Sequence, residues 1–244
     1  MTATVPAARP TARRPQGGPP LFVPVLAYGA LMVVAVILSA KSPQPSASAA
    51  TVLAYDRTHH DALEVAGCLG FGSSLPLAIW TATVYRRLRT GLGVTAPGAV
   101  IGLVGGLLAA ASLGLTGLVS WTSSQIPAIG DASVARALAD LSFATGSAGF
   151  VAPLGLLIAG IAVPSLILRL LPRPLAWAGL VIAAISVIST FALLTSALDF
   201  TFPIGRFLGL AWLIVASIML PAHRRTARLG VISWRDRLVR TQVG

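Results

Sequence analysis

Apolar runs of roughly 20 residues or more recur along the chain, separated by short polar gaps that hold most of the charge. At 1.5 Å per residue such a run crosses a bilayer core of about 30 Å, so each is read as a transmembrane helix. The pattern predicts six spans: Leu21 to Ala40, about Ala62 to Tyr85, Pro97 to Trp121, a long fourth helix ending near Leu168, a fifth from Pro174 to about Leu198, and a sixth ending at Pro221. Asp131 or Ser133 is the expected N-cap of the fourth. Lys41 to Asp61, rich in Ser, Pro and Ala, is expected to be a polar loop.

The third span carries no charge and sets Gly98, Gly102, Gly106, Ala110 and Gly114 at i, i+4. In lipid a face of small residues lets a second helix approach backbone to backbone, so this stripe is expected to face protein, against the second and fourth spans. Gly146, Gly149, Pro153, Gly160 and Pro164 predict a kink or break in the fourth helix, because each interior proline removes a backbone hydrogen bond. Pro97-x-Ala99-x-x-Gly102-Leu103-Val104 matches Pro174-x-Ala176-x-x-Gly179-Leu180-Val181. That match suggests a duplicated helical hairpin, spans two and three repeated as four and five; the alternative is chance, since proline is favoured at helix starts.

Composition agrees with the membrane class. The 244 residues are 55% hydrophobic and only 10% charged, with a mean hydropathy of +0.84. The net charge of +11 could suggest nucleic acid, but the arginines form small groups between apolar runs rather than one basic face, which excludes that partner. With both termini cytoplasmic the inner segments hold fourteen of the eighteen basic residues, a strong positive-inside bias. Residues 1–20 read as a disordered basic arm, 21–221 as the transmembrane domain and 222–244 as a basic cytoplasmic tail suited to anionic lipid at the inner face. Leu21 to Ala40 is longer than a signal-peptide core and is read as an uncleaved span, although Ala47-Ser48-Ala49 resembles a cleavage site. The single Cys68 excludes an intramolecular disulfide and a multi-cysteine metal site.

Ionisable groups near a membrane boundary are costly and are the default functional candidates. His60, Glu64 and Cys68 stand at i, i+4, i+8, a stripe that could ligate a soft or borderline metal only if a second helix supplied Asp140; the plainer reading is helix capping and packing, and neither a metal nor another cofactor is expected. Asp140, with Arg136 one turn before it, reads as a gate or as a local i, i+4 pair. Asp199 and Arg206 are expected to pair across the turn between spans five and six, with an outer vestibule shared with Asp140 as the alternative. No H-E-x-x-H, G-x-S-x-G, phosphate-binding loop or haem-attachment motif occurs, so the chain is read as non-enzymatic.

With six spans, basic inner loops and the run Ala-Asp-Leu-Ser-Phe-Ala-Thr-Gly at 139–146, the chain resembles uncharacterised six-helix integral membrane proteins of high-GC bacteria. The resemblance covers roughly residues 21–221 and implies a multi-pass protein of the bacterial inner membrane, with no chemistry attached. Two functions are expected from the sequence: an inner-membrane protein that binds or transports a small ligand or ion through an outer-leaflet polar cluster of His60, Glu64, Cys68, Asp140, Asp199 and Arg206, or a non-catalytic membrane subunit or scaffold that holds a protein partner, a second copy of itself or anionic lipid.

Overall fold

The computed structural model describes residues 20–43, 46–126 and 130–221, which are helical with no strand among them. The basic arm and tail of the sequence reading lie outside these residues. Helix α1 spans Phe22–Leu38, α2 Ala49–Thr58, α3 His60–Arg86, α4 Gly98–Gln125, α5 Ala132–Gly146, α6 Ala148–Leu168 and α7 Arg173–Ile188. A short turn, α8, at Thr201–Pro203 leads through a π turn, Ile204–Leu208, into α9 at Gly209–Met219. Among the described residues five helical runs are long and apolar enough to cross a membrane: His60–Gly91, Gly98–Gln125, Ala132–Leu168, Arg173–Leu193 and Ser196–Met219. The chain is therefore an α-helical membrane bundle. At 17 residues, α1 is apolar but shorter.

Neighbours in the bundle follow chain order. α1 packs on α3, α3 on α4, α4 on α6, α6 on α7 and α7 on α9, and α9 returns to α1. Ring closure is pinned by polar contacts where apolar side chains gain little from association. Trp80 Nε1 donates to Ser217 Oγ at 2.8 Å, joining α3 to α9, and Trp212 Nε1 donates to the Leu175 carbonyl at 2.8 Å, joining α9 to α7. Arg87 Nη1 donates to the Leu220 carbonyl at 3.1 Å and ties the end of α3 to the end of α9.

The glycines of α4 face protein on two sides. A helix turns about 100° per residue, so an i, i+4 row advances about 40° per step and winds half round the helix over four steps. Accordingly the first part of the stripe meets α6: an added Cβ at Gly98 would lie 3.4 Å from the Gly160 carbonyl oxygen, and at Gly102 it would lie 3.5 Å from Gly160 Cα. Further along, Gly106 meets Thr81 and Gly114 meets Ser74, both on α3. Ala110, between them, is buried. A Cβ on Gly106 would sit 2.4 Å from the Thr81 side chain, but the tightest approaches to backbone fall on glycines outside that row. A Cβ on Gly160 would sit 2.4 Å from the Gly102 amide nitrogen, and one on Gly117 would sit 2.2 Å from that of Phe71. In the repeated motif, Gly102 packs on α6 and its counterpart Gly179 packs against Trp212 of α9, in each case a later helix rather than the repeat partner.

The expected loop from Lys41 to Asp61 contains a helix instead. Ser48 caps α2, its hydroxyl accepting from the Thr51 amide at 3.2 Å. Val52 and Leu53 then bury against Ile126 and Ala135, forming a small second core with α5. Two apolar residues on one short face are too few to read as periodicity, which is why the sequence pattern hid this helix. Asp131 caps α5 through Oδ1, which accepts from Ser133 and Val134 at 2.8 and 3.2 Å.

Candidate functional site

The break expected in the fourth span occurs at Ser147, whose backbone (φ −89°, ψ −99°) separates α5 from α6. In a continuous helix the Phe150 amide would donate to the Gly146 carbonyl; here it donates to Ser147 at 3.2 Å. The Gly146 carbonyl is left without its helical partner, and Arg206 supplies the bond through Nη2. Arg206 sits within the π turn that follows Pro203. Such a turn takes up one extra residue and re-aims the side chains on it, and π turns are frequent at functional sites. The guanidinium carbon lies 5.6 Å from the centroid of the Phe150 ring.

Arg206 also lines a cavity of about 510 Å³, at the end of the bundle that carries α2 and α5. This volume is within the range of small-molecule sites. Helices α1 to α5 and the α8–α9 segment all contribute to its wall. Met32, Leu63, Leu113, Phe202 and Phe207 give it an apolar body, and hydroxyls from the segment after α1 and from α3, α4 and α5 interrupt that surface. Most of these hydroxyls have committed their protons. Ser73, Ser123 and Ser147 donate to carbonyls of their own helices at 2.7, 3.1 and 2.5 Å, so they offer the cavity lone pairs rather than donors. Ser120 and Ser142 pair with each other at 3.1 Å, bridging α4 and α5.

Charge in the cavity is unpaired. Arg206 has no carboxylate within ion-pair distance among the described residues, and its Nε is shielded from solvent without a hydrogen-bond partner. Asp199 lines the same cavity, half-buried, but does not pair with Arg206, contrary to the expected closing bridge. The 3₁₀ turn Ser196–Leu198 and α8 place the two residues on different turns. Asp56, on α2, lines the same cavity, only 4% exposed, with Oδ2 shielded and unpartnered among the described residues. Burial pushes its carboxyl up to about 6. The hydroxyl of its neighbour Tyr55 is likewise shielded without a partner among the described residues, and the Tyr55 ring stacks on His59 at 4.3 Å.

The other sequence candidates lie elsewhere. Asp140 is exposed on α5 and pairs with Arg136 at 3.0 Å, the local i, i+4 bridge. Arg136 reaches on to the Ala47 carbonyl, fastening α5 to the segment before α2. His60 and Cys68 are exposed and Glu64 is half-buried, and none of the three lines the large cavity. His60 instead borders a separate surface depression with Arg57, His59 and Asp61, its Nδ1 3.4 Å from Asp61 Oδ1. The His60, Glu64, Cys68 row runs down the outward side of α3, because the inward side is taken by Leu63, Ala66 and Gly67. Among the described residues no group of three His, Cys, Asp or Glu side chains could hold a metal. Asp56 escaped the sequence reading because it stood in an apparent loop, and only the helix capped by Ser48 turns it inward. No protein-family model, curated protein or solved structure matches the chain.

Proposed function

We propose that the chain is a multi-pass protein of the bacterial inner membrane, with α1 as a sixth span and both termini cytoplasmic, that binds a small ligand bearing an acidic group in a cavity open to the outer face. The carrying observation is Arg206, a guanidinium lining a 510 Å³ cavity with no acidic partner among the described residues. An unpaired cation at membrane depth is expensive, and a site that retains one gains from a ligand that supplies the counter-charge. Outward opening follows from the charge distribution, since the cavity lies at the end opposite the Arg86–Arg89 and Arg169–Arg173 loops. Below it the bundle is packed shut by Phe150, Leu154, Leu157 and Trp80, all fully buried. This conformation is one of binding at a closed-ended pocket, and the reading is non-catalytic.

The test is thermal stabilisation of the purified protein, in an uncharged maltoside detergent, by inorganic phosphate and by glycerol phosphate. A ligand that binds only the folded state raises the melting temperature with its concentration. Wild type should be stabilised and Arg206→Gln should not. Equal stabilisation of the two would refute the assignment of Arg206 as the anion site.

A further inference from the structure

The cavity has a second pole that an anion alone would not use. Resting on the reading of Arg206 as the anion site, we propose that the ligand is a zwitterion carrying a primary ammonium and a phosphate, and that Asp56 of α2 receives the ammonium. Three observations carry this. Asp56 and Arg206 line one cavity, and each has a polar atom shielded from solvent with no hydrogen-bond partner among the described residues. Neither residue has an ion-pair partner among the described residues, and a single dipolar ligand in the cavity supplies a counter-charge to each. The rest of the wall offers acceptors: Ser73, Ser123 and Ser147 have given their protons to backbone carbonyls, and Asp199 adds a second carboxyl. A wall of lone pairs with one guanidinium suits a ligand whose donors outnumber its acidic group, and a primary ammonium brings three N–H donors.

The apolar body of the cavity, with Met32, Leu63, Phe202 and Phe207, leaves room for a chain attached to the phosphate. The same aminoethyl phosphate chemistry occurs free and as a lipid headgroup. α2 is the element that makes the site selective. It is held over the cavity by Val52 and Leu53 against α5, so Asp56 enters the wall only while α2 is docked.

The experiment measures apparent affinity by melting shift in maltoside detergent, with phosphoethanolamine, N-acetylphosphoethanolamine and inorganic phosphate as soluble probes, and phosphatidylethanolamine and its N-acetylated form as lipid probes. On wild type the free amine should bind about tenfold or more tightly than the acetylated compound, the size expected for a charge-assisted hydrogen bond. Asp56→Asn should remove that preference while leaving phosphate binding in place, and Arg206→Gln should remove binding of every probe. Preference seen with the soluble pair marks a free ligand, and preference seen only with the lipid pair marks a headgroup. Equal binding of amine and acetylated amine by wild type overturns the ammonium site and leaves the anion site standing; this comparison needs no variant to fold. A preference that survives in Asp56→Asn also overturns it. Loss of neither preference nor phosphate binding in Arg206→Gln overturns the anion site instead, and absence of binding by any probe overturns both.

Discussion

Of the two glycines that meet where α4 crosses α6, only one is required to be glycine. A Cβ built on Gly160 points into the partner backbone, 2.4 Å from the Gly102 nitrogen, 2.5 Å from Gly102 Cα and 2.6 Å from the Gly98 carbonyl oxygen. Backbone cannot swing aside as a side chain does, so Gly160→Ala forces the helices apart by about 1 Å if ordinary contact at roughly 3.4 Å or more is to be restored. Overpacking of this kind costs about 1–3 kcal/mol. The facing position differs: a Cβ on Gly102 finds its nearest neighbours at 3.5 Å, an ordinary contact, so Gly102→Ala should be tolerated. Gly72 is the baseline, with nothing within 4 Å, and there alanine should be neutral or stabilising by up to about 1 kcal/mol through helix propensity. The assay is the midpoint of thermal loss of the monodisperse peak on size exclusion, with the three variants in one detergent. The expected order is Gly72→Ala at or above wild type, Gly102→Ala close to it and Gly160→Ala several degrees lower. Should Gly102→Ala fall as far as Gly160→Ala, or should Gly160→Ala melt with wild type, the backbone crossing drawn from these distances is wrong.

Other outcomes follow from single contacts. Trp80→Phe removes the 2.8 Å bond to Ser217 and should cost about 1 kcal/mol in the same melt, while the Ser217→Ala background should shrink that loss. Asp56 has its carboxyl raised by burial, so the folded state holds its proton up to about pH 6, whereas the unfolded chain releases it near 4. Its contribution to stability is therefore greatest below the unfolded value and declines as pH rises to about 6, and Asp56→Asn should flatten the melting profile in that window. Arg136→Ala breaks the bridge to Asp140 and the tie to Ala47, and should raise proteolytic cleavage near α2 far more than it lowers the melting point of the bundle. Deleting residues 222–244 should reduce co-purifying anionic lipid while leaving phosphate stabilisation intact, as lipid phosphorus analysis of the two preparations would show.

Much of the scaffold could be read from residue order because the bilayer simplifies it. Long uncharged runs such as Pro97 to Trp121 have one stable form in lipid, and the helix at Gly98–Gln125 differs from that span by a few residues at its ends. The break in the fourth span was legible for the same reason, since Gly146, Gly149 and Pro153 crowd one short stretch; its consequence was not, because a freed carbonyl has no meaning until a donor from another helix meets it. The expected pairing of Arg206 with Asp199 rests on their nearness across the turn between spans five and six, which a π turn and a 3₁₀ turn undo. The His60, Glu64, Cys68 row had helical spacing but no information on which side of α3 is occupied, and spacing alone is silent on that. Asp56 was the least legible, depending on a two-residue apolar face, Val52 and Leu53, that finds its partners Ile126 and Ala135 more than 70 positions along the chain.

Everything said of the site depends on a water-accessible cavity facing out of the cell. Ser142 lines it from α5 and Leu157 lies buried below it, so cysteine at each position in a Cys68→Ser background gives a direct contrast. Intact cells would be treated with a membrane-impermeant maleimide and the purified protein then probed for remaining free thiol. Labelling of Ser142→Cys from outside, slowed by phosphate, with Leu157→Cys untouched, is the expected result. Ser142→Cys that reacts only after the cells are broken would contradict it, since the cavity would then face inward or be sealed.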